Sequence, residues 1–174
     1  MKTKFFLIAT AFTLAFASCS KEEKDNLLQE DQQLKSGNSG KNFSVHLSGG
    51  QEVPPNGSQA QGQAIFHLKN NGTELHYKII VANIYNVMAA HIHIAPAGTN
   101  GGVVAWLYPS APPGVLIPGR YDGVLAEGVI TSANLVGSLA GQDLSVLIGH
   151  LVNGNAYVNT HTMQFPGGEI RGQF

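Results

Sequence analysis

The segment QAIFHLKNNGTELHYKIIV, residues 63–81, decides the fold class. Apolar and polar residues alternate on both sides of Asn70-Asn71-Gly72, and a period of two places each apolar set on one face of a β-strand. An Asn-Gly pair between two such runs favours a tight turn. The segment therefore predicts an antiparallel β-hairpin with one buried face.

Short alternating runs of the same kind recur through residues 43–174. Each is flanked by Gly, Pro or Asn, which end strands and form turns. We predict further strands at 43–48, 88–95, 102–108, 123–130, 134–139, 156–162 and 168–173. Pro166-Gly167-Gly168 is predicted to fold the last two into a hairpin. Many short strands joined by such turns are typical of a mainly β domain, an antiparallel β-sandwich or barrel.

One stretch, QDLSVLIGHLVNG at 142–154, has helical rather than strand periodicity. Its main apolar positions follow i, i+3, i+4, i+7 spacing, and an Asn-Gly pair supplies a stop signal. These apolar positions are Leu144, Leu147, Ile148 and Leu151. We predict one short helix near 143–152, packed over one end of the β-structure. A strand is the alternative.

The first 18 residues have the features of a secretory signal peptide. Two lysines precede an apolar stretch from Phe5 to Ala17, which is shorter than the roughly 20 apolar residues of a membrane-spanning helix. Cys19, the single cysteine, follows Phe16-Ala17-Ser18 and resembles the end of a bacterial lipobox, with Phe16 in place of the usual leucine. We predict that residues 1–18 are removed and that Cys19 is lipidated. Simple cleavage near Ala17 is the alternative.

Residues 19–42 are predicted to be the lipidated cysteine and a flexible tether, because they are polar and mixed in charge. Residues 43–174 then form one domain. Lys21-Glu22-Glu23 resembles a sorting signal that sends some Gram-negative lipoproteins to the outer face. We therefore expect an outer-membrane lipoprotein of the cell envelope, held to the membrane by its N-terminal lipid. Its domain could then face the cell surface. A lipidated Cys19 leaves no thiol for a disulfide or for cysteine catalysis.

The charge of the predicted domain excludes several function classes. Residues 43–174 hold only four Lys or Arg and six Asp or Glu, but all seven histidines. Without a basic patch to neutralise phosphates, nucleic acid is not an expected partner. No Ser-His-Asp grouping, phosphate-binding glycine loop or close carboxylate pair is present. The sequence therefore favours a protein that is not an enzyme.

Two histidines stand one residue apart in AAHIHIAPAGTNGGVV, residues 89–104. Alternation along a strand places His91 and His93 on one face, with Cα atoms about 6–7 Å apart at a rise of about 3.3 Å per residue. Both rings can then reach one metal ion at bond lengths of about 2.0–2.1 Å. Solvated positions on the outer face of a strand are the alternative.

A second stretch, AYVNTHTMQFPGGEIRGQF at 156–174, offers a third histidine. Tyr157, Asn159 and His161 share a strand face, and Glu169 and Arg171 share a face beyond the turn. The predicted site has three imidazoles, with or without one carboxylate, and favours Cu(II) or Zn(II) over calcium. The alternatives are an ion pair between Glu169 and Arg171 that closes the barrel, and a hydrogen-bonded His161 at a sheet corner.

The remaining candidates are weaker. His150 beside the apolar stripe of the predicted helix is a possible fourth ligand. Glu52 in GGQEVPP is a candidate ligand or a charged loop residue. His46, His67 and His76 occupy outward positions of their strands and are interpreted as solvated residues.

These blocks carry a resemblance to the CHRD domain, a module named from the extracellular antagonist chordin. The matching stretches run in order: LSGGQEVPP (47–55), AAHIHIAPAGTNGGVV (89–104), DLSVLIGHLVNGNAYVNTHT (143–162) and PGGEIRGQF (166–174). The resemblance implies an extracytoplasmic β-rich domain without a defined activity. Growth-factor binding by chordin is attributed mainly to cysteine-rich repeats that this chain does not contain, so that ligand is not transferred.

A looser likeness is to copper/zinc superoxide dismutase, so the expected fold is immunoglobulin-like or superoxide-dismutase-like. That enzyme is also a β-sandwich with a His-x-His strand and a late histidine. The chain departs from it, because the pair is followed by a Pro/Gly/Asn stretch instead of a histidine-rich zinc loop, and the disulfide has no counterpart. Dismutase activity is not expected.

The sequence leaves three functional hypotheses. The first is a binding module with a Cu or Zn site at His91, His93 and His161. The second, from a different class, is a cell-surface adhesion or structural module with an unknown protein or glycan partner and a purely structural histidine cluster. A zinc hydrolase ranks third.

Overall fold

The computed structural model describes residues 40–174; the predicted signal peptide, Cys19 and nearly all of the predicted tether lie outside this range. Within it are seven strands and one helix. They are β1 Asn42–Ser48, β2 Gln61–Lys69, β3 Glu74–Ile94, β4 Val103–Tyr108, β5 Ile117–Ile130, α1 Leu144–Val152, β6 Ala156–Thr162 and β7 Ile170–Gln173. This helix is too short to cross a membrane, and no other described segment offers a longer apolar helix.

Five of the strands close into an antiparallel barrel. The order is β2-β1-β7-β6-β3, and β3 pairs again with β2 to complete the circle. The seam between β1 and β7 is made by Ser48 opposite Arg171. Strands β4 and β5 pair along the other edge of β3. The mainly β prediction is confirmed, and of the two predicted forms the structure takes the barrel.

The hairpin predicted from residues 63–81 is present. Lys69 pairs with Glu74 across a short 3-10 turn, in which Asn70 and Asn71 have φ angles of 49° and 54°. Asparagine adopts this left-handed region more readily than most residues. The alternating apolar residues of both strands are buried, as predicted; they are Ala64, Phe66 and Leu68 of β2 and Leu75, Tyr77, Ile79 and Val81 of β3.

Strand β3 merges two strands that the sequence predicted separately, at 75–81 and 88–95. Its first half pairs with β2 and β5, and its second half pairs with β6 and β4. Asn83 and Asn86 lie between the halves with φ angles of 56° and 51°, next to shifts in register. These bulges bend the strand without ending it, so the chain changes partner without a turn.

The strand predicted at 134–139 is wrong. This region contains two 3-10 turns, Ser132–Asn134 and Gly137–Leu139. Asn134 caps the first turn by accepting from the Thr131 amide, and Gly137 has a left-handed φ of 58°. Leu135 and Leu139 are nevertheless buried. The apolar alternation therefore correctly indicated which residues are buried, but it did not indicate an extended backbone.

The predicted helix is confirmed as α1. Asp143 caps its N-terminus by accepting a hydrogen bond of 2.9 Å from the Ser145 amide. All four residues of the predicted apolar stripe are buried, and they join the core of the barrel. The helical spacing therefore identified both the element and its buried face.

Several buried polar residues lie on the outer face of β3, β6 and β7. Ile92, Val158 and Ile170 point into the core, so the alternate residues of these strands point outward. The outward side chains are still largely buried, because the segments 49–60, 95–102 and 163–169 cover them. A buried polar layer thus lies between the barrel wall and its loops.

Candidate metal centre

The three predicted ligands converge in this layer. His91 and His93 come from β3, and His161 comes from β6, where it pairs with Ala89. One ring nitrogen from each residue lies within 4.8 Å of the other two, and no other His, Cys, Asp or Glu among residues 40–174 joins a group of this kind. The strand register explains the convergence, because neighbouring strands bring outward residues of the same phase together.

The spacing suits one metal ion. Nitrogens bound at about 2.0–2.1 Å lie about 3.3 Å apart in tetrahedral geometry and at most about 4.2 Å apart. His91 Nδ1 and His161 Nε2 are 3.1 Å apart, which is close to the tetrahedral spacing. Because one nitrogen from each of the three rings lies within 4.8 Å of the other two, a small closing movement completes a three-imidazole set.

Backbone carbonyls fix the protons of two rings. His93 Nδ1 donates to Gly101 O at 2.9 Å, and His161 Nδ1 donates to Pro166 O at 3.0 Å. Because a carbonyl oxygen only accepts, each Nδ1 must carry the proton when the ring is neutral. The Nε2 atoms then hold the lone pairs that a metal ligand needs.

Two ring nitrogens in this layer have no hydrogen-bond partner among the described residues. They are Nε2 of His91 and Nε2 of His93, and both are buried. A buried polar atom without a partner costs roughly 1–3 kcal/mol. The protein groups alone thus leave the cluster poorly satisfied, and coordination of an ion by His93 Nε2 would remove the cost at His93.

Burial also keeps the rings neutral. It lowers the pKa of His91 from 6.5 to about 3, with smaller contributions from the other two histidines. Burial is likewise the largest cause that lowers the pKa of His93 and of His161, and the hydrogen bond to a backbone carbonyl opposes it in each ring. Neutral imidazole is the form that binds a metal, so these rings remain competent below neutral pH.

Aromatic residues hold the rings in place. Trp106 meets His91 edge to face, with ring centroids 4.2 Å apart. Tyr157 stacks on His93 at 4.7 Å, and the Arg171 guanidinium lies 3.5 Å from the Tyr157 ring centroid. Since β6 lies between β3 and β7, His93 and Arg171 approach Tyr157 from opposite sides. Arg171 thereby supports His93 through a cation–π contact.

The structure does not contain the ion pair between Glu169 and Arg171 that the sequence left open. Glu169 accepts hydrogen bonds of 2.6 Å from Ser58 and from Thr162. Arg171 donates to Thr99 O and Asn100 Oδ1 in the 95–102 segment and to a neighbouring glutamine. The two charged groups belong to different hydrogen-bond sets, so the ion-pair alternative is wrong.

The other sequence candidates lie outside the histidine cluster. Neither His150 nor Glu52 supplies an atom to the three-histidine group. Glu52 is nevertheless buried beside it and interacts with Asn159 and Arg171. His46 and His67 are exposed, whereas His76 is half-buried and lies 2.9 Å from Glu74.

Sequence reasoning missed the residues that orient the ligands. Asn159 could have been found, because it shares a strand face with His161. Trp106 could not, because its position opposite His91 depends on the register of β3 and β4. The carbonyl acceptors of Gly101 and Pro166 carry no side-chain signal at all.

Gly101→Ala is expected to destabilise the domain and to weaken metal binding. A Cβ atom on Gly101 would lie 1.9 Å from Ile94 O, so the loop must move and His93 loses its acceptor. Overpacking of this kind costs about 1–3 kcal/mol, and loss of an outer-shell partner weakens metal affinity about 10- to 100-fold. Denaturant unfolding and zinc titration measure the two effects. Gly102→Ala is the matched control, because its Cβ would meet nothing within 4 Å; equal behaviour of the two variants would contradict this account.

Comparison with known proteins agrees with the resemblance noted in the sequence. The CHRD domain family matches residues 43–174, which is most of the chain and includes all three clustered histidines. Neither the curated proteins nor the solved structures gave a match. The extent of the family match places this chain in the CHRD domain family.

Proposed function

We propose that this protein is a metal-binding module that holds one Cu(II) or Zn(II) ion at His91, His93 and His161. The observation that carries the proposal is the buried Nε2 of His93, a lone pair without a partner among the described residues. Its ring stacks on Tyr157 and bonds Gly101 O, so the lone pair is held ready for an ion. Imidazole nitrogen without thiolate is a donor set that suits copper and zinc.

The rival hypothesis, a purely structural histidine cluster, fits the hydrogen bonds less well. A structural cluster gains stability when its ring nitrogens are paired. Here His91 and His161 form the one hydrogen bond between rings, and an Nε2 atom of His91 and of His93 is left over. An adhesion module also gains nothing from three neutral imidazoles beneath its loops.

Binding is favoured over catalysis by the state of the charged neighbours. Arg171 and Glu169 are buried, and both are hydrogen-bonded to neighbouring protein groups. Glu52, the other buried carboxyl, supplies no atom to the three-histidine group and is joined to it through Asn159. A hydrolase or a dismutase needs a charged or titratable group free to act on a substrate at the metal itself. The proposal therefore names no reaction.

Tryptophan fluorescence tests the proposal directly. The chain has a single tryptophan, Trp106, and its ring lies against His91. Cu(II) quenches nearby indoles, so titration of tag-free protein should quench the emission with a break at about one ion per chain. Metal analysis after dialysis should give the same stoichiometry. Emission that decreases without saturating, together with no retained metal, would contradict the proposal.

We also propose that the module is displayed from the cell envelope by a lipid on Cys19, where a protein or glycan partner can reach it. Cys19→Ser should move the protein from the membrane fraction to the soluble fraction, because the variant cannot carry the proposed lipid. Fractionation and immunoblotting measure the change, with Ser20→Ala as the matched control. A Cys19→Ser variant that stays with membranes would show that the anchor lies elsewhere.

A further inference from the structure

Glu52 is a buried carboxyl group that the three-histidine site does not use. It is 5% exposed, and its Oε1 has no hydrogen-bond partner among the described residues. A buried carboxylate is costly unless it is paired, so Glu52 calls for an explanation. Glu52 is among the residues that line two open clefts, of about 340 and 410 Å³.

Asn159 connects Glu52 with the metal site. Its side chain interacts with Glu52 on one side and with His93 on the other. Gly168 permits this approach, because a Cβ there would lie 2.4 Å from Glu52 Oε1 and 2.8 Å from Asn159 Nδ2. The contact is therefore built into the fold, and it joins a ligand to a group that can exchange a proton.

The hydrogen-bond donors and acceptors along this connection do not match when Glu52 is ionised. Asn159 Nδ2 then lies on the Glu52 side, while Asn159 Oδ1 and His93 Nε2 are both acceptors without a partner. Protonation of Glu52 and rotation of the amide by half a turn would satisfy all three groups together. Glu52 would donate to Asn159 Oδ1, and Asn159 Nδ2 would donate to His93 Nε2.

We propose that Glu52 and Asn159 form a relay that exchanges a proton for the metal ion. When Glu52 holds a proton, Asn159 Nδ2 occupies the His93 lone pair; when Glu52 is ionised, the amide takes the orientation seen in the structure and the lone pair is free. Binding of the ion to His93 Nε2 displaces the Asn159 amide, which turns back to the Glu52 carboxylate, and the Glu52 proton leaves through the clefts to solvent. The relay rests on the proposed metal site and makes Glu52 and Asn159 positioning residues for it.

The electrostatic surroundings of Glu52 support the exchange near neutral pH. Burial raises the pKa of Glu52 to about 7, although the Arg171 guanidinium lowers it. Among residues 40–174, the charged or titratable groups that face Glu52 are Arg171 on β7 and, beyond Asn159, His93 on β3. His93 stays neutral and Arg171 stays charged near pH 7, so Glu52 is the group that exchanges the proton.

Calorimetric zinc titration in buffers of different ionisation enthalpy counts the protons released. At pH 7 the full-length protein should release about half a proton per ion from Glu52, because a group with a pKa of about 7 is half protonated there. Glu52→Gln mimics the protonated acid and cannot release it, so proton release should fall by that amount. Zinc affinity should fall about 10-fold or more, because the amide stays on His93. Release of a proton from zinc-bound water is common to both proteins and cancels in the difference.

Glu169→Gln is the matched control, because it neutralises another buried carboxyl whose oxygens accept from Ser58 and Thr162 instead. It should release as many protons as the wild type. Carbon-13 NMR of the wild type adds a measurement without mutation: the Glu52 carboxyl should titrate near pH 7 without zinc and at lower pH with zinc. Equal proton release by wild type and Glu52→Gln would overturn the relay and leave the metal site intact. A wild type that binds no zinc would overturn both.

Discussion

His93→Ala should abolish both metal binding and the stabilisation that the metal provides. A ligand that binds only the folded state raises the free energy of unfolding by about 2.7 kcal/mol at 100 times its dissociation constant. His93 supplies the lone pair whose proton position is fixed by Gly101 O, and alanine removes it together with the stack on Tyr157. Thermal unfolding with and without zinc should therefore show a shift in the wild type and none in the variant.

The quantity to compare is the change in unfolding temperature that zinc causes in each protein. His93→Ala also loses packing, so it will be less stable than the wild type even without zinc. His76→Ala is the control. His76 pairs with Glu74 on the first half of β3, and the clustered histidines lie on the second half. It should keep the full metal-induced shift. If His93→Ala keeps the shift as well, the three histidines are not the site.

The metal-free domain should lose stability steeply below about pH 4.5. The pKa of His91 is about 3 in the folded protein and 6.5 when exposed, so the unfolded chain takes up a proton first as the pH falls below 6.5. This contribution is complete above pH 6.5, and about 3 kcal/mol of it is lost by pH 4.5. Glu52 acts in the opposite direction, because its folded pKa of about 7 exceeds the ordinary 4.5. Its uptake of a proton between pH 7 and 4.5 stabilises the fold by about 3 kcal/mol.

These opposing contributions give a test that separates them. In the wild type the gain from Glu52 offsets the loss from His91 between pH 6.5 and 4.5, so the decline there comes from His93 and His161, whose pKa values are also lowered. Below that range the histidine loss is no longer offset. In Glu52→Gln the offset is missing, so stability should decline more steeply from about pH 6.5. Urea unfolding in the presence of a chelator, repeated between pH 8 and pH 4, measures both curves. Parallel curves for the two proteins would show that Glu52 titrates with an ordinary pKa.

The sequence predicted the parts of the fold that depend on neighbouring residues. Alternation around Asn70-Asn71-Gly72 gave the first hairpin, and the spacing in 142–154 gave α1. The same alternation failed at 134–139, where buried Leu135 and Leu139 lie in 3-10 turns. Periodicity reports which residues are buried, and several backbone forms can bury the same residues.

The site was predictable to the extent that strand phase determines it. Alternation placed His91 and His93 on one face of their strand and gave His161 a defined face on its own strand. The fold makes these two strands neighbours, with the three histidines on the same side. The pairing of Glu169 with Ser58, and of Arg171 with the 95–102 segment, depends on loops that no local pattern specifies. Glu52 was identified as a candidate ligand, but its actual neighbour, Asn159, lies more than a hundred positions away in the chain.

The main-chain carbonyls of the 95–102 segment accept hydrogen bonds from side chains of the barrel. Ala95 O accepts from Gln173, Thr99 O accepts from Arg171, and Gly101 O accepts from His93. A carbonyl is the same in every residue, so these three contacts depend on the path of the loop and not on the side chains of Ala95, Thr99 and Gly101. Ala97 and Gly98 lie exposed at its tip. A peptide library inserted there would be presented on the loop that bonds His93. If the proposed metal site is occupied, the domain becomes a scaffold for selecting metal-dependent binders.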